Sequence, residues 1–160
     1  MCGIAGILNL NNQLNKRGSQ IQSMSEAMKM RGPDSNGVLV AGMPDNTPMT
    51  NPGFVAQASG RLFLAHRRLS VIDLTDGGWQ PFSLSSQRYW IVYNGEIYNF
   101  RELRLELSNL GTTFETESDT EVLLAGYIQW GKKVLDKLHG MFAFAIWDER
   151  TQTLFWRGTV

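Results

Sequence analysis

The chain has a single cysteine, Cys2, among its 160 residues, so it can close no internal disulfide. A lone free thiol fits the reducing cytosol, and a cytoplasmic location is expected. The two histidines, His66 and His139, stand apart, and no His/Cys spacing resembles a zinc site. No metal is expected. Charge of one sign is not in excess, since 15 Lys and Arg balance 15 Asp and Glu. Without a basic surplus there is no electrostatic footprint for nucleic acid or for an anionic membrane. No apolar run approaches the roughly 20 residues that span a bilayer. The N-terminus lacks the basic and then apolar segments of a signal peptide. The phosphate-cradling pattern Gly-x-x-x-x-Gly-Lys-[Ser/Thr] is missing, as is any acidic cluster for a magnesium nucleotide, so no cofactor is expected. Repeats and low-complexity tracts are also missing, and the length suits one domain over residues 1–160 with a sizeable core.

What is present begins at the N-terminus. Met1-Cys2-Gly3 leads into Ile4-Ala5-Gly6-Ile7-Leu8, an apolar run that reads as a buried strand. Removal of Met1 would put the α-amino group on Cys2. A thiol of pKa about 8.5 and an amine of about 7.7–8.0 would then share one residue, and the amine can act as base toward its own thiol. The plainer alternative is a cysteine packed as a small hydrophobe.

Residues 9–18 are polar and turn-like. Ser19 is expected to cap a helix running to about Met30, with Ile21, Met24, Ala27 and Met28 on one face. Arg31-Gly32-Pro33-Asp34 stops it. Residues 37–41 form a short strand, and residues 42–60 read as a long surface loop. A strand at residues 61–65 leads into His66-Arg67-Arg68-Leu69-Ser70-Val71-Ile72-Asp73. Tyr89-Trp90-Ile91-Val92-Tyr93 is a β-prone run ending at Asn94-Gly95. Asn99 and Glu102 have capping-box spacing before a helical stripe of Leu103, Leu107 and Leu110, with Gly111 as its stop. Ser118-Asp119-Thr120-Glu121 repeats the box before an apolar helix over residues 122–130. A shorter helix at residues 132–139 follows. The strand at residues 141–147 is apolar on both faces and is expected to be covered on both. A last strand spans residues 153–157. Strands and helices in separate runs argue for an α+β or layered sandwich rather than regular βαβ winding.

A thiolate that attacks a carbonyl needs a base, an oxyanion site and a substrate anchor. The α-amine of Cys2 is one candidate base and His66 is another. Asn94 and Gly95 can supply an amide and a backbone N–H to an oxyanion, although Asn-Gly between apolar runs is also a strong hairpin signal, and locally the turn is favoured. An amino-acid substrate needs a cation for its carboxylate, from Arg67 or Arg68. It also needs an anion for its ammonium group, from Asp119, which would otherwise serve as a first-turn charge.

Taken in order, six motifs resemble one family. They are Met1-Cys2-Gly3-Ile4-Ala5-Gly6, Arg31-Gly32-Pro33-Asp34, the run His66 to Asp73, Asn94-Gly95-Glu96-Ile97-Tyr98-Asn99, Ser118-Asp119-Thr120-Glu121-Val122 and Gly140-Met141-Phe142-Ala143-Phe144-Ala145. They are similar to the N-terminal glutaminase domain of glutamine-hydrolysing asparagine synthetases, which are class II glutamine amidotransferases. The resemblance implies an N-terminal-nucleophile hydrolase fold, a four-layer αββα sandwich with two stacked, mainly antiparallel sheets. It implies that Met1 is removed and that Cys2 attacks the side-chain amide of L-glutamine, giving a thioester, ammonia and then glutamate. It implies an oxyanion hole of Asn94 and Gly95, Arg68 on the α-carboxylate, and the backbone of Leu69, Ser70, Val71 and Ile72 as the adjoining wall. Glu96 and Asp119 would hold the α-ammonium end.

The resemblance fades after the last strand. The family continues with an Ala-Arg-Asp motif, whereas Trp156-Arg157-Gly158-Thr159-Val160 leaves that pattern. An ATP-using synthetase domain, with its ATP and magnesium, lies outside the sequence. The expectation is a truncated domain with uncoupled glutaminase activity. Apolar surface around Phe142, Phe144 and Trp156 would be exposed, and self-association into a homo-oligomer stays open. Two alternatives remain: an inactive remnant that serves as a folded binding module, and the glutaminase half of a different class II amidotransferase.

Overall fold

The structure, a computed structural model, describes residues 2–11, 13–43, 50, 55–69 and 78–159. Strand β1 (Gly3–Leu8) and a short β2 (Asn15–Lys16) precede helix α1 (Gly18–Ala27). Then come β3 (Ser35–Ala41), β4 (Ser59–Gly60), β5 (Leu62–Arg68), β6 (Phe82–Ser83) and β7 (Tyr89–Ile97). Helices α2 (Phe100–Asn109) and α3 (Asp119–Trp130) lead through a 3-10 helix (Gly131–Asp136) to β8 (Gly140–Asp148) and β9 (Thr153–Gly158). All pairings among the described residues are antiparallel. One sheet has the order β1-β5-β3, a second β6-β7-β8-β9, and β2 and β4 form a small ribbon.

The two-residue period of the strands sorts the side chains into layers. Leu62 and Leu64 of β5 meet Leu39, Trp90, Val92 and Trp147 between the sheets. Phe63 and Ala65, on the opposite face, meet Ile21 of α1. On the outer face of the second sheet, Ile91, Tyr93, Phe142, Phe144 and Ile146 pack under Leu103, Leu107 and Leu123 of α2 and α3. The layers therefore run helix, sheet, sheet, helices. This is the expected αββα sandwich.

Several local expectations change. Helix α1 starts at Gly18 with Arg17, not Ser19, at its N-cap position and with no side-chain cap bond, and it ends at Ala27. Its inner face is Gly18, Ile21 and Ser25, while Met24 faces solvent, because the helix leans on β5 along a narrow stripe. Asn99 makes no cap bond. Its side chain instead donates to Lys137 O at 2.9 Å and accepts from His139 N at 3.0 Å, tying the start of α2 to the approach of β8. Ser118 does cap α3, accepting from Glu121 N at 3.2 Å. The segment after α3 winds as a 3-10 helix. Asn94-Gly95 makes no turn, since β7 runs through it to Ile97 in register with β8. Phe142 and Phe144 are buried beneath the helices, so of the three residues expected in an exposed apolar patch Trp156, on the edge strand β9, is the one open to solvent, with Met141 exposed next to Phe142 in sequence. The long loop at residues 42–60 closes with β4, and most of its middle falls outside the described residues.

Candidate active site

Alternation carries the site residues to one place. Along β5, His66 and Arg68 continue the inward row of Leu62 and Leu64, and Arg67 points the other way. Along β7, Asn94 and Glu96 continue the inward row of Trp90 and Val92. Cys2 extends the row of Ile4 and Leu8 at the start of β1, whose Gly3 lies opposite Arg67. The rows end beside the N-terminus of α3, at a cavity of about 370 Å³. Cys2, Arg68, Leu69, Asn94, Gly95, Glu96 and Asp119 all line it, with Gly78, Gln80, Tyr93, Ser118, Thr120 and Met141.

The half-buried thiol of Cys2 is held by the backbone of Leu69. Leu69 N–H donates to Sγ at 3.4 Å, and the thiol donates back to Leu69 O at 3.6 Å. Arg31 Nε donates to Cys2 O at 3.3 Å, which ties the Arg-Gly-Pro-Asp turn to the nucleophile's main chain.

Strand geometry separates the two arginines. Arg67 turns toward α1, where its Nε donates to Ser25 O and Ser25 Oγ at 3.0 Å each and its Nη2 pairs with Glu26. Arg68 is buried at the cavity with its guanidinium against Gly78. A Cβ at that glycine would lie 2.1 Å from Nη2, so a side chain there would displace the guanidinium. Gly95 is constrained in the same way. A Cβ on it would lie 2.4 Å from Met141 O and 2.5 Å from Phe142 Cα, so a larger residue would wedge β7 from β8.

His66 does not line the cavity. It is buried between the sheets, with Nε2 3.1 Å from Tyr93 O, and burial pushes its pKa down to about 4. A neutral imidazole whose Nε2–H serves a strand carbonyl has a structural role, so His66 is set aside as the base.

Asp119 begins α3 and is buried. Its Oδ2 accepts from Tyr93 OH at 2.6 Å and from Ile97 N at 3.3 Å. Burial raises its pKa, and the Tyr93 phenol and backbone donors oppose that shift. Burial and the neighbouring carboxylate keep the Tyr93 phenol protonated as a donor. Tyr93 and Gln80 were missed in the sequence. Tyr93 reads there as one more β-prone aromatic, and nothing local marks Gln80. Ser70, Val71 and Ile72 lie outside the described residues. Among the described residues, no group of three or more His, Cys, Asp or Glu side chains gathers as metal ligands, and no helix is long and apolar enough to cross a membrane.

Comparison with known proteins gives the family and the fold. Residues 1–157 match the family described as "Glutamine amidotransferase domain". Asparagine synthetase [glutamine-hydrolyzing] 1 of Bacillus subtilis is 41% identical over 157 residues, covering 97% of this chain and 22% of the relative. Asparagine synthetase B [glutamine-hydrolyzing] of Escherichia coli is 35% identical over 148 residues, covering 92% of this chain and 23% of the relative. The chain thus spans about a fifth of the length of these relatives. Among solved structures, the glutamine phosphoribosylpyrophosphate amidotransferase of B. subtilis superposes with a TM-score of 0.70 at 21% identity, covering 93% of this chain and 35% of that one. That likeness supports the N-terminal-nucleophile hydrolase fold. With the family match covering nearly the whole sequence, this chain belongs to the glutamine amidotransferase domain family, and it is similar to a part of the asparagine synthetases.

Proposed function

We propose that this domain hydrolyses the side-chain amide of L-glutamine to glutamate and ammonia, with Cys2 as nucleophile. The observation that carries the reading is the convergence of Cys2, Arg68, Asn94, Gly95, Glu96 and Asp119 on one cavity. With Met1 removed, the α-amine of Cys2 takes the thiol proton, and Sγ attacks the amide carbon. The oxygen of the tetrahedral intermediate takes its charge against the Asn94 amide and the Gly95 N–H, donors fixed in advance by β7. The C–N bond then breaks, the α-amine returns the proton to the leaving nitrogen, and ammonia departs. Water attacks the thioester carbon, giving glutamate and the free thiol. Arg68 receives the substrate carboxylate as a fork, with the Leu69 backbone beside it. Asp119 and Glu96 receive the ammonium group. None of these steps requires a cofactor. ATP and magnesium would act only in a synthetase domain of the asparagine synthetase type, which would take up the ammonia. We place the protein in the cytoplasm, as its single free thiol suggests.

Glutamate and ammonia release by the purified chain, with and without Met1, tests the reading. Cys2→Ala is expected to abolish turnover and Cys2→Ser to lose most of it. Asn94→Ala is expected to lower kcat about 10²–10³-fold. Full activity with Met1 retained would remove the α-amine from the mechanism.

A further inference from the structure

One buried side chain outside the assigned set is bonded to the sequence neighbours of both ends of the proposed substrate path. Gln80 lines the cavity and is 9% exposed. Its Oε1 accepts from Tyr93 N at 2.5 Å, and its Nε2 donates to Thr120 Oγ1 at 3.2 Å. Tyr93 is the residue before Asn94, and Thr120 the residue after Asp119. Behind it, the Gln80 main chain rests on β3, so closely that a Cβ at Gly37 would lie 2.0 Å from Gln80 O.

The pairing of β6 with β7 explains why a side chain does this. The ladder contains Phe82 opposite Ile91 and Ser83 opposite Trp90. Carried one step back, it meets Pro81, which has no N–H to offer. A further step would set Gln80 opposite Tyr93, and there the side-chain carbonyl takes the Tyr93 N–H instead of the main chain. The Tyr93 phenol meanwhile bonds Asp119. A closed ring results, from the β7 backbone through Gln80 to α3 and back through Asp119 and Tyr93.

We propose that Gln80 is a positioning residue that fixes the spacing between the oxyanion donors on β7 and the ammonium anchor on α3. The proposal rests on the roles assigned above to Asn94 and Asp119. A glutamine molecule must satisfy both ends at once, and a displacement of an ångström or less between them misaligns the carbonyl.

Gln80→Met keeps the length and removes both hydrogen bonds. The test compares kcat and KM on glutamine with those on the analogue lacking the α-ammonium group. In Gln80→Met, kcat on glutamine is expected to fall about tenfold, the scale of a lost buried hydrogen bond. The preference for glutamine over the analogue is expected to narrow by a similar factor, with a cooperative thermal transition retained. A folded variant with unchanged kcat and unchanged preference overturns the proposal. Should Gln80→Met fail to fold, Thr120→Val removes only the α3 end of the strut, and an unchanged preference there overturns it equally. Titration of glutamine and the analogue into the Cys2→Ala chain, with and without Gln80→Met, reads the same preference without turnover. A failure of the glutaminase reading is thereby kept apart from a failure of this one.

Discussion

Lowering the pH from 7 to 4 should destabilise this fold through His66. The imidazole is 1% exposed between the two sheets, beside the Arg68 cation, and its Nε2 is engaged by Tyr93 O. Desolvation holds its pKa near 4, against 6.5 for an unhindered histidine. Between those values the unfolded chain binds a proton that the native chain refuses, so stability rises with pH across the window and falls on acidification. The full effect, about 2.5 pH units at 1.36 kcal/mol each, is on the order of 3 kcal/mol. A domain with a total of about 5–15 kcal/mol would feel that loss. Asp119 works in the opposite sense. Burial raises its native pKa, so its contribution is greatest in acid and is lost as pH rises through that value. Comparison with His66→Gln isolates the histidine, because the glutamine amide can still donate to Tyr93 O and does not titrate. Urea unfolding at pH 7, 6, 5 and 4.5 should show the unaltered chain losing stability relative to His66→Gln, steadily below pH 6.5. Parallel curves for the two proteins would refute the argument.

The two adjacent arginines should separate cleanly. Arg68→Ala is expected to raise KM for glutamine far more than it lowers the melting temperature. Arg67→Ala should leave KM nearly unchanged and cost about 2 kcal/mol of stability, through the buried bonds to Ser25. Kinetics and urea unfolding on both variants check this, and equal KM effects would contradict the strand alternation that separates them. Gly95→Ala places a methyl against the β8 backbone, so at least about 1–3 kcal/mol of stability should go with the activity. Calorimetry on that variant decides it, and an unchanged melting temperature would mean that β7 and β8 are not packed as described.

Much of this protein was decided locally. Apolar and β-prone runs gave β5, β7 and β8, Ser118 and Glu121 gave the start of α3, and the order of six motifs gave the family and the layered fold. Local rules failed wherever a side chain had two outlets. Asn94-Gly95 has the chemistry of a turn, but β7 runs on through it because β8 offers a full ladder up to Gly140 and a backbone surface that only glycine can approach. Asn99 has the spacing of a cap, but Lys137 and His139, distant in sequence, take its amide. Arg67 and Arg68 are equivalent as letters, and only the pleat of β5 sends one to α1 and the other to the cavity. His66 looks like a candidate base until the second sheet covers it. Gln80 carries no signal, because its partners come from a strand and a helix that only tertiary packing brings within reach. Sequence thus determined which groups could do the chemistry. The stacking of two pleated sheets decided which of them face one another, since a one-residue change of face reverses every assignment along a strand.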